Sequence, residues 1–391
     1  MREEVTLFDR QKNKNSIRVI IIGGGYAGLS ALAKLRTQCP AAEITLLDPR
    51  PSHVKLTRLH ESIRESSPGV HLPFGLIENR FKIRHIAEEV DIHAGALESW
   101  NQARSITISK NQTIDFDYLI IALGSGVQRV GLEQSSHILT LSDFIETPGS
   151  KLIADQLDRR GNQSPWITVV GSGPTGIQFL FEIADFIRMH RLNWKLRLVD
   201  AWSRPLQKFP ESISNYVLAR LDDWDISYIP RHLMLVQQEK SIILEERETQ
   251  SRLELPSAVT LYFAGKTTSH RLLSNWFGQV KLKGKTLHRI FTAGDCSIFK
   301  GPGSNSLSAQ SAVRKGRLVA ENILRHRSPL SLMKPYLHRE LGYVVSLGPR
   351  DAIGWVASPK NIIAGPAALT IQEVVESQYD LLLTGTDTFA L

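Results

Sequence analysis

The stretch RVIIIGGGYAGLSALAKL, Arg18 to Leu35, decides how the rest of the chain is read. Val19 to Ile22 is an apolar, β-branched run, the pattern of a strand buried on both faces. Gly23, Gly25 and Gly28 follow at GxGxxG spacing, and Leu29, Leu32, Ala33 and Leu35 then recur at helical spacing. The order is strand, tight turn, helix. Glycine is required there because a side chain would keep the backbone away from a pyrophosphate, while the helix N-terminus offers unpaired N–H groups and a positive dipole end. Tyr26 and Ala27, inside the turn, belong to the same candidate site. Twenty residues beyond Gly28 a second strand, EITLLD, ends in Asp48, placed to accept hydrogen bonds from a ribose 2′-OH. A glycine turn with no ligand is the alternative, and the strand, helix and terminal aspartate together favour a nucleotide.

The pattern recurs about 148 residues later. WITVVGSGPTGIQFLFEIADF carries Gly171, Gly173 and Gly176 after the strand Ile167 to Val170, with Pro174 suited to a first helical turn. The next strand, LRLVD, ends in Asp200, whose charge would repel a 2′-phosphate and so favours NADH over NADPH; Arg204 nearby is the opposing signal. Two cradles imply two dinucleotides, or one nucleotide cofactor and a dinucleotide substrate, and hence electron transfer. Two further apolar strands end in glycine: FDYLIIALGSG at Gly124, and RIFTAGD at Gly294 and Asp295. After the glycine-rich KGPGSNS, a helix over about Leu307 to Arg325 places Ala309, Ala312, Val313, Gly316, Val319, Ala320 and Ile323 on one face.

Composition sets outer limits. At 391 residues, 42% hydrophobic and 22% charged, the chain is an ordinary globular protein long enough for two or three domains. Its net charge is +8, and residues 285–330 alone carry 8 basic and 2 acidic side chains. Nucleic acid, an anionic membrane surface and a phosphate-bearing small molecule are the partners such a balance suggests; no nucleic-acid motif or basic-aromatic interleaving is present, so nucleic acid is set aside. Cys39 and Cys296 are the only cysteines, too far apart for a CxxC pair, and no metal site is expected. The longest uncharged stretch, Val19 to Ala33, is shorter than the roughly 20 residues that span a bilayer. No export signal is read, and the expectation is a cytoplasmic protein, either free or peripheral at the inner face of a membrane.

The order GGGYAG, Asp48, IIALGS, GSGPTG and TAGD resembles the two-dinucleotide flavoprotein superfamily of disulfide reductases, ferredoxin reductases and type II NADH dehydrogenases, over about residues 17–325. The resemblance implies an α/β protein with two Rossmann-like, three-layer dinucleotide-binding domains, the NAD domain inserted into the FAD domain, plus a small C-terminal region. The expected boundaries are 16–150 and 285–328 for FAD, 151–284 for NAD(P)H and 329–391 for the C-terminal region. It assigns the FAD ADP moiety to Gly23, Gly25, Gly28 and Asp48, NAD(P)H to Gly171, Gly173, Gly176 and Asp200, and the flavin ribityl chain to Asp295. Gly124 and Gly294 fall at the same cofactor. Two cysteines at these positions serve neither a disulfide reductase nor a sulfide:quinone reductase; Cys296 as a catalytic thiol is the lesser reading beside a small buried residue.

SAQSAVRKGRLVAENIL resembles the AQxAxQ helix of type II NADH dehydrogenases, with Ala309, Gln310 and Ala312 matching, and GYVVSLGPRDAIGWV with the following AALTIQEVVESQYDLLLTG is similar to their C-terminal region. Three positions depart from that pattern: Gln178 for Glu, Arg314 for Gln and Leu123 for Thr. Gln178, Gln310 and Lys55 are the candidate catalytic residues, Gln310 also touching the cofactor. The leading expectation is an FAD enzyme that oxidises NADH and reduces a quinone. A reductase of a small electron-carrier protein, and an attenuated flavin-bound sensor or scaffold, stay open. The basic cluster Arg314, Lys315, Arg317, Arg325 and Arg327 reads first as a solvated helix face, with a membrane-surface or anionic-acceptor patch as the alternative. Leu369, Val374, Val375, Leu381 and Leu382 form an amphipathic segment, but Glu373, Glu376 and Asp380 within it oppose anionic lipid. A homodimer is admitted without being required.

Overall fold

The computed structural model describes residues 16–64, 69–109, 112–127, 136–160, 165–267, 270–328 and 330–388. The strand read from the first glycine motif, Arg18–Ile22, lies inside an eight-stranded sheet, between Glu43–Leu47 and Tyr118–Ile121 and parallel to both. Lys285–Thr292 pairs in parallel with Tyr118–Ile121, so residues 171 positions apart in sequence are direct neighbours in one sheet. A second, five-stranded parallel sheet has the order Ile138–Thr140, Val259–Tyr262, Trp166–Val170, Lys195–Val199, Ser227–Ile229. The chain therefore leaves the first domain, builds the second and returns.

The sheets displace the expected boundaries at 150 and 284. Ile138–Thr140 hydrogen-bonds to Val259–Tyr262 in the second sheet, whereas Leu272–Ser274 and Gln279–Leu282 belong to the first. These strands are three or four residues long and carry no period that sequence alone would reveal.

One helical contact ties the first domain together. The first cradle helix, Tyr26–Gln38, lies against a closing helix, Ala309–Arg327, which starts two residues later than expected because Ser308 caps it by accepting from the Ser311 N–H. A Cβ on Gly316 would stand 2.1 Å from the Ala27 carbonyl oxygen, so only glycine permits this approach. The same cluster buries Leu29, Leu32, Val313, Val319, Ala320 and Ile323.

The basic cluster on the closing helix is not a solvated face. Lys315 is 1% exposed and Arg317 9%. Arg317 grips Asp387 through two bonds of 2.6 and 3.0 Å, and Arg325 reaches Glu321 at 3.2 Å. Charge that looked available to a partner is largely spent inside the molecule.

The C-terminal region is a three-stranded antiparallel sheet, Gly342–Ser346, Ala352–Val356 and Ser358–Ala364, followed by a helix, Pro366–Leu383. It spans both cores: Tyr379, Leu382 and Leu383 join the first, Val345, Leu347 and Ile353 the second. Two of its acids are partly exposed and paired with cations, and a third is buried. Asp380 pairs with Lys55 at 2.5 Å and Glu373 with Arg58 at 3.2 Å, while Glu376 is buried; Leu382 is buried too, leaving Val374, Val375 and Leu381 exposed. Among the described residues no helix is long and apolar enough to cross a membrane.

Gly316→Val forces the two helices apart, an overpacking loss of about 2–3 kcal/mol, and lowers the thermal midpoint by roughly 5 °C or more. Differential scanning fluorimetry of the purified variant checks this; an unchanged midpoint contradicts the contact.

Candidate active site

Both cradles sit where parallel strands end and helices begin, the usual ligand crevice of such sheets. Gly23 has φ +102°, and a Cβ there would lie 2.6 Å from the Ala122 carbonyl oxygen. Gly25 caps the first cradle helix without any side-chain hydrogen bond, no acid occupies the first turn, and a Cβ on Gly25 would meet nothing within 4 Å. The N-terminus thus presents bare N–H groups to open ground, which fits a diphosphate. Asp48, 2% exposed, accepts from the Gly24 N–H at 2.7 Å and from Arg50 at its backbone (3.0 Å), Nε (2.9 Å) and Nη2 (2.7 Å). Burial works against its charge, yet Arg50 and the Gly24 N–H together hold the carboxyl below its ordinary value. Arg50 was missed in the sequence, although its place two residues after the acid was a readable signal.

The expected neighbours converge on this cradle. A Cβ on Gly294 (φ +77°) would be 3.2 Å from the Ala27 side chain and from the Leu123 carbonyl, and Asp295 accepts from Ser125 Oγ at 2.7 Å. Gly124, beside Ser125, again faces open space. Tyr26 contributes mainly through its backbone. Its hydroxyl bonds Thr57 Oγ1 at 2.7 Å, and its ring packs 4.7 Å from Tyr379 and edge-on to His53. His53 Nδ1 in turn donates to the Gly24 carbonyl at 3.0 Å, and Tyr379 bonds His53 Nε2 at 3.2 Å, so the C-terminal helix braces the glycine turn. Sequence reading found neither His53 nor Tyr379.

The second cradle repeats the design. Gly171 has φ +104° with Ala264 N 2.8 Å from its would-be Cβ, and a Cβ on Gly176 would collide with Gly171 O at 1.8 Å. Gly173 caps the second cradle helix, Pro174–Met189, with no side-chain bond and open space around it. Asp200 accepts from the Ser172 N–H and from Trp202 N at 2.7 Å. Arg204 is committed elsewhere, to Ser214 Oγ and to the Gln207 and Phe209 carbonyls at 3.0 Å each.

Between the cradles, Gln178 Nε2 donates to Ser346 Oγ at 3.3 Å, and Ser346 bonds His60 Nε2 at 2.9 Å. His60 is 2% exposed; burial, with Arg64 and Arg58 nearby, pushes its pKa down to about 3. Ser346 Oγ thus links the Gln178 amide to a neutral imidazole, and Gln178 keeps its carbonyl oxygen for another partner. Ser346 had no sequence signal because it pairs across 168 residues. Gln310 lies in the first turn of the closing helix, its Oε1 accepting from Leu341 N at 3.0 Å. Lys55 is held by Asp380. Burial pushes the Cys296 thiol up to about 11, its Sγ 3.3 Å from the Ala293 carbonyl, so it stays protonated; Cys39 ends the first cradle helix.

Two open cradles, no redox cysteine pair and a C-terminal layer across both domains define a dinucleotide oxidoreductase fold. Residues 17–316 match the pyridine nucleotide-disulphide oxidoreductase family, and the chain belongs to it. A type II NADH:quinone oxidoreductase of Staphylococcus epidermidis is 28% identical over 396 residues, covering 92% of this chain and 94% of that one. By fold, NDH2 of Plasmodium falciparum in complex with NADH superposes with a TM-score of 0.79 at 14% identity, over 95% of this chain and 96% of that one. The sulfide:quinone oxidoreductase of Aquifex aeolicus gives 0.76 at 16% identity, over 96% and 94%. The protein is an oxidoreductase of this family that uses FAD and NAD(P)H.

His53, whose pKa burial lowers to about 4, and His60 make the fold sensitive to acid. Both are folded as neutral rings, so their stabilisation is present above the ordinary value of 6.5 and is lost as pH falls toward 4 and 3. The thermal midpoint is expected to drop between pH 7 and 5, and His60→Gln to shrink that drop; equal pH dependence in the variant contradicts the assignment. Asp200→Ala is expected to narrow the ratio of kcat/KM for NADH over NADPH several-fold, and an unchanged ratio removes Asp200 from the discrimination.

Proposed function

We propose that the protein oxidises NADH through FAD bound in the first cradle and passes the electrons to a quinone. The observation that carries the reading is the C-terminal layer: it crosses both domains, sets Ser346 on Gln178 and Leu341 on Gln310, and brings no cysteine to the space between the cradles. The type II NADH:quinone oxidoreductase of Staphylococcus epidermidis, similar over 92% of this chain, supports the same reading.

FAD, when bound, supplies the hydride acceptor and the electron store. The protein's share is positioning, since hydride transfer needs aligned rings and excluded water more than acids or bases. Gly23, Gly25 and Gly28 let the backbone approach one diphosphate and Gly171, Gly173 and Gly176 the other, while Asp48 and Asp200 orient the two riboses. Gln178 presents a carbonyl oxygen, its amide anchored by Ser346, as an acceptor suited to a nicotinamide carboxamide. Ser346 and His60 lie behind it as a hydroxyl and a neutral base. Lys55, latched to Asp380, fastens the C-terminal helix over the first cradle. Exposed Val374, Val375 and Leu381 supply an apolar face for the peripheral membrane contact that a lipid-borne quinone calls for.

Steady-state turnover with NADH and a short-chain quinone tests the reading, with ferredoxin as the alternative acceptor. Quinone is expected to be reduced at least tenfold faster; the reverse preference overturns the assignment. Gln178→Glu is expected to leave flavin reduction within a few-fold, because either side chain offers Ser346 a partner. A large gain shows instead that the natural chain is attenuated at this position.

A further inference from the structure

Lys315 is a buried cation that the scheme above does not use. It lies in the second turn of the closing helix, 1% exposed, with Nζ donating to the Ser297 carbonyl at 3.0 Å and standing 5.3 Å from the centre of the Phe299 ring and 5.8 Å from that of Tyr336. Among the described residues it forms no ion pair. A buried ammonium without a carboxylate beside it is destabilising by several kcal/mol as a rule. Burial lowers its pKa to about 8, and the fields of Asp295, Cys296 and Glu340 oppose the fall, so it is protonated at pH 7.

Its location says what the charge faces. Ser297 follows Asp295 and Cys296 directly, Gly294 touches Ala27 of the first cradle helix, and the next residue of the closing helix, Gly316, sits on the Ala27 carbonyl. Lys315 thus reaches back toward the helix N-terminus and lies behind the Asp295 loop, at the edge of the first cradle. Surrounding charges come from three elements: Arg314 on its own helix, Asp295 on the loop, and Glu340 on the segment over the helix N-terminus. Glu340 accepts from Ser306 and from Ser308 at 3.0 Å with one oxygen, and its other oxygen is buried without a partner.

We propose that Lys315 is an electrostatic residue that stabilises the reduced, anionic form of the FAD held in this cradle and so raises its reduction potential. The helix dipole acts in the same direction from the same helix. The ammonium is buried and already desolvated, so little solvent reorganises when electrons arrive. The inference rests on FAD in the first cradle and is independent of which acceptor takes the electrons.

The test is the FAD midpoint potential, measured on FAD-loaded protein by reductive titration against a redox dye, together with the affinity of the bound oxidised flavin for sulfite, which forms an anionic adduct. Lys315→Met is expected to lower the preference for reduced over oxidised FAD tenfold or more, about 30 mV for a two-electron couple, and to weaken the sulfite adduct in parallel. Lys315→Arg is expected to stay within threefold of the parent. An unchanged potential in Lys315→Met overturns the proposal, as does an equal loss of affinity for both redox forms, which assigns the lysine to the diphosphate. Should Lys315→Met fail to fold, Lys315→Gln decides: an unchanged potential overturns the proposal. Absence of FAD from the parent protein is a separate result and removes the cofactor reading itself.

Discussion

The approach of the closing helix to the first cradle helix, backbone against backbone at Gly316 and Ala27, is the constraint on which the rest of the structure depends. It joins residues near 27 to residues near 316, and so closes the first domain around the insertion of the second. It also sets the Asp295 loop beside Ala27 and draws Lys315 into the core. A side chain at 316 would remove all of these together. Packing and chemistry are therefore the same feature seen at two scales.

The C-terminal layer is the second organising element, and it works through polar contacts to backbone and side chains that sit behind the cradles. Tyr379 and His53 brace Gly24 on the first, and Ser346 and His60 anchor Gln178 beside the second. Both histidines are buried and held as neutral rings, and the buried cation of the closing helix is Lys315.

The cradles were legible in the sequence because glycine spacing, strand runs and terminal aspartates are local demands of backbone geometry. Gly23, Gly28, Gly171 and Gly176 each stand where a Cβ would strike the backbone, and Asp48 and Asp200 each hold the N–H of a cradle loop. Long-range pairing was not legible. His60 and Ser346 are 286 residues apart, and His53 and Tyr379 326, so nothing in either neighbourhood announces the other. The basic cluster misled for the same reason. Helical spacing put Arg314, Arg317 and Arg325 opposite an apolar stripe, but a layer supplied from residues 330–388 covers that side of the helix and brings Asp387 to meet Arg317. Acids brought from elsewhere in the chain, Asp387 among them, meet part of the local basic excess of residues 285–330, while the net charge of +8 remains for the molecule as a whole.

The account's central claim is that electrons pass from NADH in the second cradle to FAD in the first with no thiol between them. Anaerobic stopped-flow absorbance of the FAD-loaded Cys39→Ser/Cys296→Ser double variant tests it most directly. The account predicts full bleaching of the oxidised flavin band on mixing with NADH, at a rate within a few-fold of the parent. Loss of flavin bleaching in the folded variant, with the parent active, contradicts it.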